Sequence, residues 1–553
     1  MNLNHMLTKQ GENLSKIPWN VYPRPQLKRD SFFCLNGEWD FEFNNKQTKI
    51  LVPFAPESLL SGIRETCEKC VYKREFSLPN GFVKDKVLLH FGAVDQIARV
   101  YLNGEFVGEH IGGYEHFYFD ITAFLQQNNE LTVEVIDKLD KNLPYGKQTK
   151  KRGGMWYTKT TGIWQTVWIE SVNKDYIQSL DVQADDKKAV ITVNGAKSGV
   201  AVFEDKRVEF DNSIIEYIPD NIELWSPENP KLYYFTVETE NDKIESYLAF
   251  RKLEIKKINN IPRLLLNGKP YFFNGVLDQG YYSDGILTPA SEENYIEDIL
   301  LMKEAGFNML RKHIKVESEL FYYHCDRLGM AVFQDMVNNS SYSFLFDTVF
   351  PTFFMQKFPD KILHMNKKSR VNFEKAMLQT VKSLKNHPSI VYWTVFNEGW
   401  GQFESDKMYE VLKKEDDTRF IDSTSGWFRG KKTDVESLHI YFKKLKTVKS
   451  EKPMVISEFG GYVLKVEDHI FNPYKEYGYK TLKDKEAFNN ALIDLFENQL
   501  LPLVKKGVCA SVYTQVSDVE DEINGLVTYD RKVKKFDHKL KEINGRIFEE
   551  ISK

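Results

Sequence analysis

From residue 256 onward, short apolar runs of strand length alternate with stretches whose apolar residues recur at helical spacing. YFFNGV (271–276) precedes a helical pattern over 292–305 that stops at Gly306. FNMLR (307–311) precedes another over 317–328 that stops at Gly329. Glycine is a natural helix stop because it adopts the left-handed conformation freely. MAVFQD (330–335) follows, and then Phe373, Met377, Val381 and Leu384 share one helical face up to Asn386-His387-Pro388. SIVYWTVF (389–396) is apolar throughout, as a strand covered on both faces must be. RFIDST (419–424), ESLHIY (436–441), PMVISE (453–458) and VCASVYT (508–514) bring the strand candidates to eight. This alternation predicts a (β/α)8 TIM barrel over 256–553, with the aperiodic stretch 337–370 as a long loop over its mouth.

The chain before residue 256 has another texture. Residues 1–172 carry short alternating runs such as VYKREFSL (71–78), KVLLHFGAV (86–94) and QTVWIE (165–170). In ARVYLNGEFVGEH (98–110), Asn103-Gly104 separates two such runs, a hairpin signal because both residues tolerate positive φ. A jelly-roll-like β-sandwich is expected there. Residues 173–255, with AVITV, VAVFE and LYYFTVET, predict a smaller immunoglobulin-like sandwich.

Composition narrows the function. The 75 basic and 79 acidic residues give a net charge of −4, which offers no field for a polyanion, so nucleic acid is not an expected partner. No run reaches the roughly 20 apolar residues of a membrane span. The first 20 residues hold no apolar leader core, and the cysteines number only five, so reduced thiols and a cytoplasmic location are expected. Cys67-Glu68-Lys69-Cys70 is formally CxxC but has no second pair, and is read as a surface turn rather than a metal or redox site. Self-association is left open.

The active site of a TIM barrel lies at the C-terminal ends of its strands. Here strand four ends in Asn397-Glu398 and strand seven in Ser457-Glu458, while Arg311, Asp335 and His439-Ile440-Tyr441 close strands two, three and six. Two facing carboxylates suit glycoside hydrolysis: one protonates the departing oxygen, the other stabilises or bonds the oxocarbenium-like carbon. Their surroundings are expected to push the two pKa values apart. The rival reading is a rim ion-pair network.

Several segments resemble glycoside hydrolase family 2, the family of β-galactosidases, β-glucuronidases and β-mannosidases. LNGEWDFEF (35–43), VYLNGEFVGEHIGGYEHFYFDIT (100–122) and TTGIWQTVWIE (160–170) look like its sugar-binding sandwich. NHPSIVYWTVFNEGWG (386–401) and PMVISEFGG (453–461) look like its acid/base and nucleophile strands. The resemblance implies a retaining double displacement with Glu398 as acid/base and Glu458 as nucleophile. It also implies that Asn397 binds the sugar 2-hydroxyl, that Tyr441 donates to the nucleophile and that Arg311 lies under it. Asp278, His313 and His439 are further candidates for sugar hydroxyls, and Trp427, Tyr513 and Trp156 for stacking on the ring. No cofactor and no metal are expected.

The sugar is less constrained. Family glucuronidases carry Asn-x-Lys where this chain has Glu522-Ile523-Asn524, and an acid there opposes a uronic carboxylate. The expectation is a retaining exo-β-glycosidase for a terminal neutral sugar of an oligosaccharide or glycoside, with β-galactoside first. The alternatives are a β-mannoside, β-glucoside or β-arabinopyranoside enzyme, a transglycosylase, and a non-catalytic carbohydrate-binding protein.

Overall fold

The computed structural model describes residues 6–349, 360–426 and 428–551. The barrel strands are β1 (Phe273–Asp278), β2 (Met309–Lys312), β3 (Ala331–Asp335), β4 (Ile390–Thr394), β5 (Phe420–Asp422), β6 (Glu436–Ile440), β7 (Met454–Gly460) and β8 (Val508–Thr514). They form one parallel sheet in the order β5-β4-β3-β2-β1-β8-β7-β6. The ring closes between β5 and β6 without a regular ladder. Asp434 N donates to Ile421 O at 2.9 Å, and Ser425 Oγ lies 3.3 Å from Ser437 Oγ.

Helices α1 (Glu292–Glu304), α2 (Glu319–Leu328), α3 (Lys367–Leu384) and α4 (Ser405–Glu415) follow β1 to β4. Gly329 caps α2 at φ +72, and Phe373, Met377, Val381 and Leu384 form the buried face of α3. Among the described residues no helix follows β5 or β6. The stretch expected to cover the mouth is irregular as far as it is described, with single turns at Phe344–Val349 and Asp360–Ile362. Residues 350–359 lie outside the described residues.

Strand parity sorts the barrel side chains. Phe273, Leu277, Met309, Phe333, Val455, Ala510 and Val512 share the core inside the ring. Val276, Leu310, Val332, Ile456, Phe459 and Tyr513 join the layer under the helices. Alternate residues of a strand point to opposite faces, so each strand feeds both layers.

In the N-terminal sandwich a six-stranded sheet faces a four-stranded one. The strand Gly37–Phe43 alternates buried and less buried residues, and its Trp39, Phe41 and Phe43 meet Leu89, Phe91 and Val167 of the other sheet. Burying each Phe here contributes about 1.5–3 kcal/mol. Asn103 and Gly104 both take positive φ at their hairpin, as expected. Cys67 and Cys70 correct the expectation of a surface turn: both are buried in this core. Cys70 and Tyr72 fall on the inward face of the strand Lys69–Phe76, which the alternation sets. Seven further strands in sheets of three and four enclose a separate core around Ile191, Phe203 and Phe235.

The sandwich grips the barrel rim through Glu520, which accepts from Thr158 N at 3.0 Å, and Glu522, which accepts from Tyr157 OH at 2.5 Å. Burial of Glu520 pushes its carboxyl up to about 6, and Asp521 adds in the same direction. A raised carboxyl costs the fold stability as pH climbs from its unfolded to its folded pKa. Glu520→Gln keeps an acceptor for Thr158 N and cannot ionise. It is expected to match the wild type near pH 4.5 and to exceed it by about 1–2 kcal/mol above pH 6.5, read as urea midpoints across that range. A gap that does not change with pH would remove this account of Glu520.

Candidate active site

Beyond β4 the chain continues to Asn397, which bridges in parallel to Ser425, and Glu398 N donates to Ser425 O at 2.8 Å. Glu398 takes φ +53, a left-handed conformation that costs a side-chain-bearing residue about 1–3 kcal/mol and recurs at functional sites. On β7 the register shifts. Leu438 pairs with Ile456 but His439 pairs with Glu458, which leaves Ser457 as the extra residue of a bulge. Counting by alternation from the inward Val455 would send Glu458 outward. The bulge resets the parity and turns Glu458 into the mouth.

The two glutamates thus line one pocket of about 480 Å³, open mouth included. Oxygens of Glu398 and Glu458 and a ring nitrogen of His439 lie within 4.8 Å of one another. That spacing would also suit a cation; within the trio, His439 Nδ1 lies at hydrogen-bond distance from Glu398 Oε1, and Glu458 is held by Arg311 and Tyr441.

Arg311 lies beneath, fully buried. It donates from Nη1 to Glu458 Oε1 at 3.1 Å and to Ser457 O at 2.9 Å, from Nη2 to Asn397 Oδ1 at 2.8 Å, and from Nε to Asp335 Oδ1 at 2.9 Å. Four of its five N–H donors are thus engaged within the protein, so it acts by positioning. A guanidinium only donates, so Asn397 must turn its Oδ1 to Arg311, which leaves its amide N–H groups for the pocket. Tyr441 OH donates to Glu458 Oε2 and lies 3.0 Å from Thr514 Oγ1.

Asp335 also meets His313 Nδ1 at 2.7 Å. Burial would raise Asp335, but Arg311 and His313 hold it at about 2. Burial, with the charge of Lys147, lowers His313 to about 4. A neutral His313 donates from Nδ1 to Asp335 and keeps Nε2 as an acceptor for a hydroxyl.

Glu398 departs from expectation. Burial would raise its carboxyl, but the hydrogen bond and charge of His439, then Lys147 and Arg311, outweigh that and bring it below the usual carboxylate range. His439 Nδ1 lies 2.7 Å from Glu398 Oε1 and 3.5 Å from Glu458 Oε2.

Of the expected site residues, Glu398, Glu458, Asn397, His313, Tyr441 and Trp156 line the pocket. His439 is turned to the glutamates instead of the open space. Asp278 and Tyr513 are corrections. Asp278 falls on the outward parity of β1 and pairs with Lys312 Nζ at 2.7 Å, on the same parity of β2. Tyr513 faces the helix layer behind Gly460 and is fully buried. Trp427 lies outside the described residues. Lys147, Gln279, Tyr342, Tyr479 and Glu522 also line the pocket. Tyr479 stacks on Tyr441 at 3.7 Å, and Trp156 packs 5.0 Å from both Tyr342 and Trp400. No local motif marks Lys147 or Tyr479; only the docking of the sandwich and of the loop after β7 brings them in.

Fold and site define a three-part chain in which a jelly-roll sandwich completes a two-carboxylate pocket on a TIM barrel. Residues 256–548 match "Glycosyl hydrolases family 2, TIM barrel domain", 38–167 the family's sugar binding domain and 166–251 "Glycosyl hydrolases family 2". The chain belongs to glycosyl hydrolases family 2. It is 26% identical over 335 residues to a β-galactosidase of Thermoanaerobacter pseudethanolicus, covering 55% of this chain and 44% of that one. The chain spans about half or less of the length of such curated relatives. Among solved structures, a β-glucuronidase from an uncultured Clostridium superposes with a TM-score of 0.74 at 19% identity, covering 95% of this chain and 99% of that one. A β-galacturonidase of Eisenbergiella tayi bound to galacturonate gives 0.69 at 19% identity, covering 95% and 98%. At that identity the likeness is one of fold.

Proposed function

We propose that the chain is a retaining exo-β-glycosidase that removes a terminal neutral sugar, with Glu398 as acid/base and Glu458 as nucleophile. The observation that carries this is the approach of the two carboxylates to within 4.8 Å. Retaining enzymes hold their pair about 5–5.5 Å apart, whereas inverting ones leave about 6.5–9.5 Å for a water. Arg311 and Tyr441 both donate to Glu458, which supports it as the nucleophile, and Asn397, its Oδ1 held by Arg311, has N–H groups to offer a sugar hydroxyl.

For the sugar, Glu522 supports a neutral ring. With Glu398 and Glu458 it makes a third carboxylate on the pocket wall, which favours hydroxyl donors and opposes a uronic carboxylate. β-Galactoside is the first choice, in keeping with the names of several curated relatives, while others are named β-glucuronidases. One observation favours a uronide as the second reading: Lys147 lines the same pocket and makes no ion pair among the described residues.

A panel of nitrophenyl β-glycosides tests both. A galactoside or another neutral sugar is expected to turn over at least about 10²-fold faster than the glucuronide and galacturonide, since a like charge in the pocket costs several kcal/mol. Proton NMR of the first-formed sugar should show the β anomer. Preference for a uronide would move the assignment to Lys147 as counter-ion, and an α product would end the retaining reading.

A further inference from the structure

We propose that the loop after β6 forms the subsite for the leaving group, with Phe442 as its stacking platform and Lys443 and Lys444 as its charge, so that the neutral sugar is cut from an acidic sugar residue. The inference rests on the reading of a neutral terminal sugar and names what that sugar is attached to.

The seat of the sandwich on the barrel gives the direction. The sandwich meets the mouth beyond β8 through Tyr157 and Thr158, beyond β3 where Tyr145 N donates to Asn338 O at 3.1 Å, and beyond β4 where Trp156 packs on Trp400. β4, β3, β2, β1 and β8 are successive neighbours in the ring, so these contacts make one wall. β5 and β6 lie across the ring from its middle. A terminal sugar held at the two carboxylates therefore has its closed side at the sandwich, and the bond to be cut opens over β6.

Phe442 directly follows Tyr441 on that side. It is 81% exposed, yet it is braced: its ring meets Tyr479 edge-on at 5.3 Å, and Tyr479 lines the pocket and stacks on Tyr441. A row of rings thus runs from the hydroxyl on Glu458 out to the rim. The loop is pinned three residues on, where Leu445 is buried in the layer under the helices and its N–H donates to Gln499 Oε1 at 3.2 Å. At that exposure a face of the Phe442 ring is free, and such a face suits the C–H side of a pyranose. Lys443, Lys444 and Lys446 beside it are exposed and make no ion pair among the described residues. Glu451, the next acid along the chain, is engaged by Lys257 Nζ at 2.5 Å. The pocket wall carries Glu398, Glu458 and Glu522 against Lys147 alone. Carboxylates inside and lysines at the exit favour a neutral ring in the pocket and an acidic one behind it.

The test takes the neutral sugar that the nitrophenyl panel selects, as its methyl glycoside and as its disaccharides β-linked to glucose and to glucuronic acid. kcat/KM is measured at low salt and at about 1 M salt for wild type, Phe442→Ala and the double variant Lys443→Gln/Lys444→Gln, beside Glu458→Gln. The altered side chains are exposed, so the fold should hold, and circular dichroism checks that it does. Wild type is expected to prefer the glucuronic acid disaccharide to the glucose one by about 5-fold at low salt. Most of that preference should vanish at about 1 M, where charges are screened beyond about 3 Å. The double lysine variant should lack the preference at either salt and still favour disaccharides over the methyl glycoside. Phe442→Ala should lower kcat/KM on both disaccharides about 10-fold relative to the methyl glycoside, whose leaving group is too small to reach the ring. A ratio unmoved by Phe442→Ala, or an equal loss on all three substrates, would overturn the platform. A wild type that treats the two disaccharides alike at low salt, or a preference that survives the lysine changes, would overturn the acidic leaving group. A uronide preferred as the terminal sugar, or turnover surviving in Glu458→Gln, would instead bring down the reading beneath the proposal.

Discussion

Glu458→Gln is expected to lower turnover on the order of 10⁴-fold or more, because an amide cannot form the glycosyl ester through which the reaction divides into two easier steps. Arg311 and Tyr441 would remain aimed at a neutral group that no longer needs them. The fold should survive. Arg311 keeps Asp335, Asn397 and the Ser457 carbonyl, so the loss of one charged acceptor is expected to cost about 1–3 kcal/mol. Circular dichroism and a urea midpoint close to the wild type, together with absent turnover, would assign the loss to chemistry. Substantial activity in a folded variant would exclude Glu458 as nucleophile.

Glu398→Ala should divide substrates by leaving group. With an alkyl aglycone the departing oxygen needs a proton, and kcat/KM is expected to fall about 10²–10⁴-fold. With a dinitrophenyl aglycone the oxygen leaves as a stable phenolate, and kcat/KM, which reports the first step, should fall less than about 10-fold. kcat on the activated substrate should still drop, because the second step loses its base and the glycosyl ester accumulates. Azide, a nucleophile that needs no base, is expected to restore kcat and give a glycosyl azide. Equal losses on both aglycones would remove Glu398 from the acid role and leave it as a partner of His439.

Much of this site is written in local pattern. NHPSIVYWTVFNE and PMVISE each run an apolar strand into a glutamate, and a parallel barrel brings all such ends to one rim. His439 on β6 and Tyr441 just past its end, two residues apart, both reach the carboxylates, as alternation suggests. The same rule explains Asp278 and Tyr513. Each occupies the outward parity of its strand, which the inward Leu277 and Val512 beside them already signalled. The lowering of the Glu398 carboxyl could not be read from its own segment, because a residue's pKa depends on who shares its hydrogen bond. Its charged neighbours come from β2, β6 and a sandwich loop, between 41 and 251 positions away in the chain.

What the sequence determined by itself is the layer plan: two β-sandwiches, then a barrel whose strands four and seven end in glutamates. Periodicity fixes that plan, because a run of alternating or wholly apolar residues has few ways to hide its surface. What only the tertiary structure decided is where those ends point and who meets them. Strict alternation from Val455 would have turned Glu458 toward the helices; the bulge at Ser457 turns it inward. That bulge exists through pairing with β6 on one side and β8 on the other, a property of neighbours rather than of PMVISE. The same holds for Lys147 and Trp156, which reach the pocket because the sandwich docks on the rim through Tyr157 and Thr158.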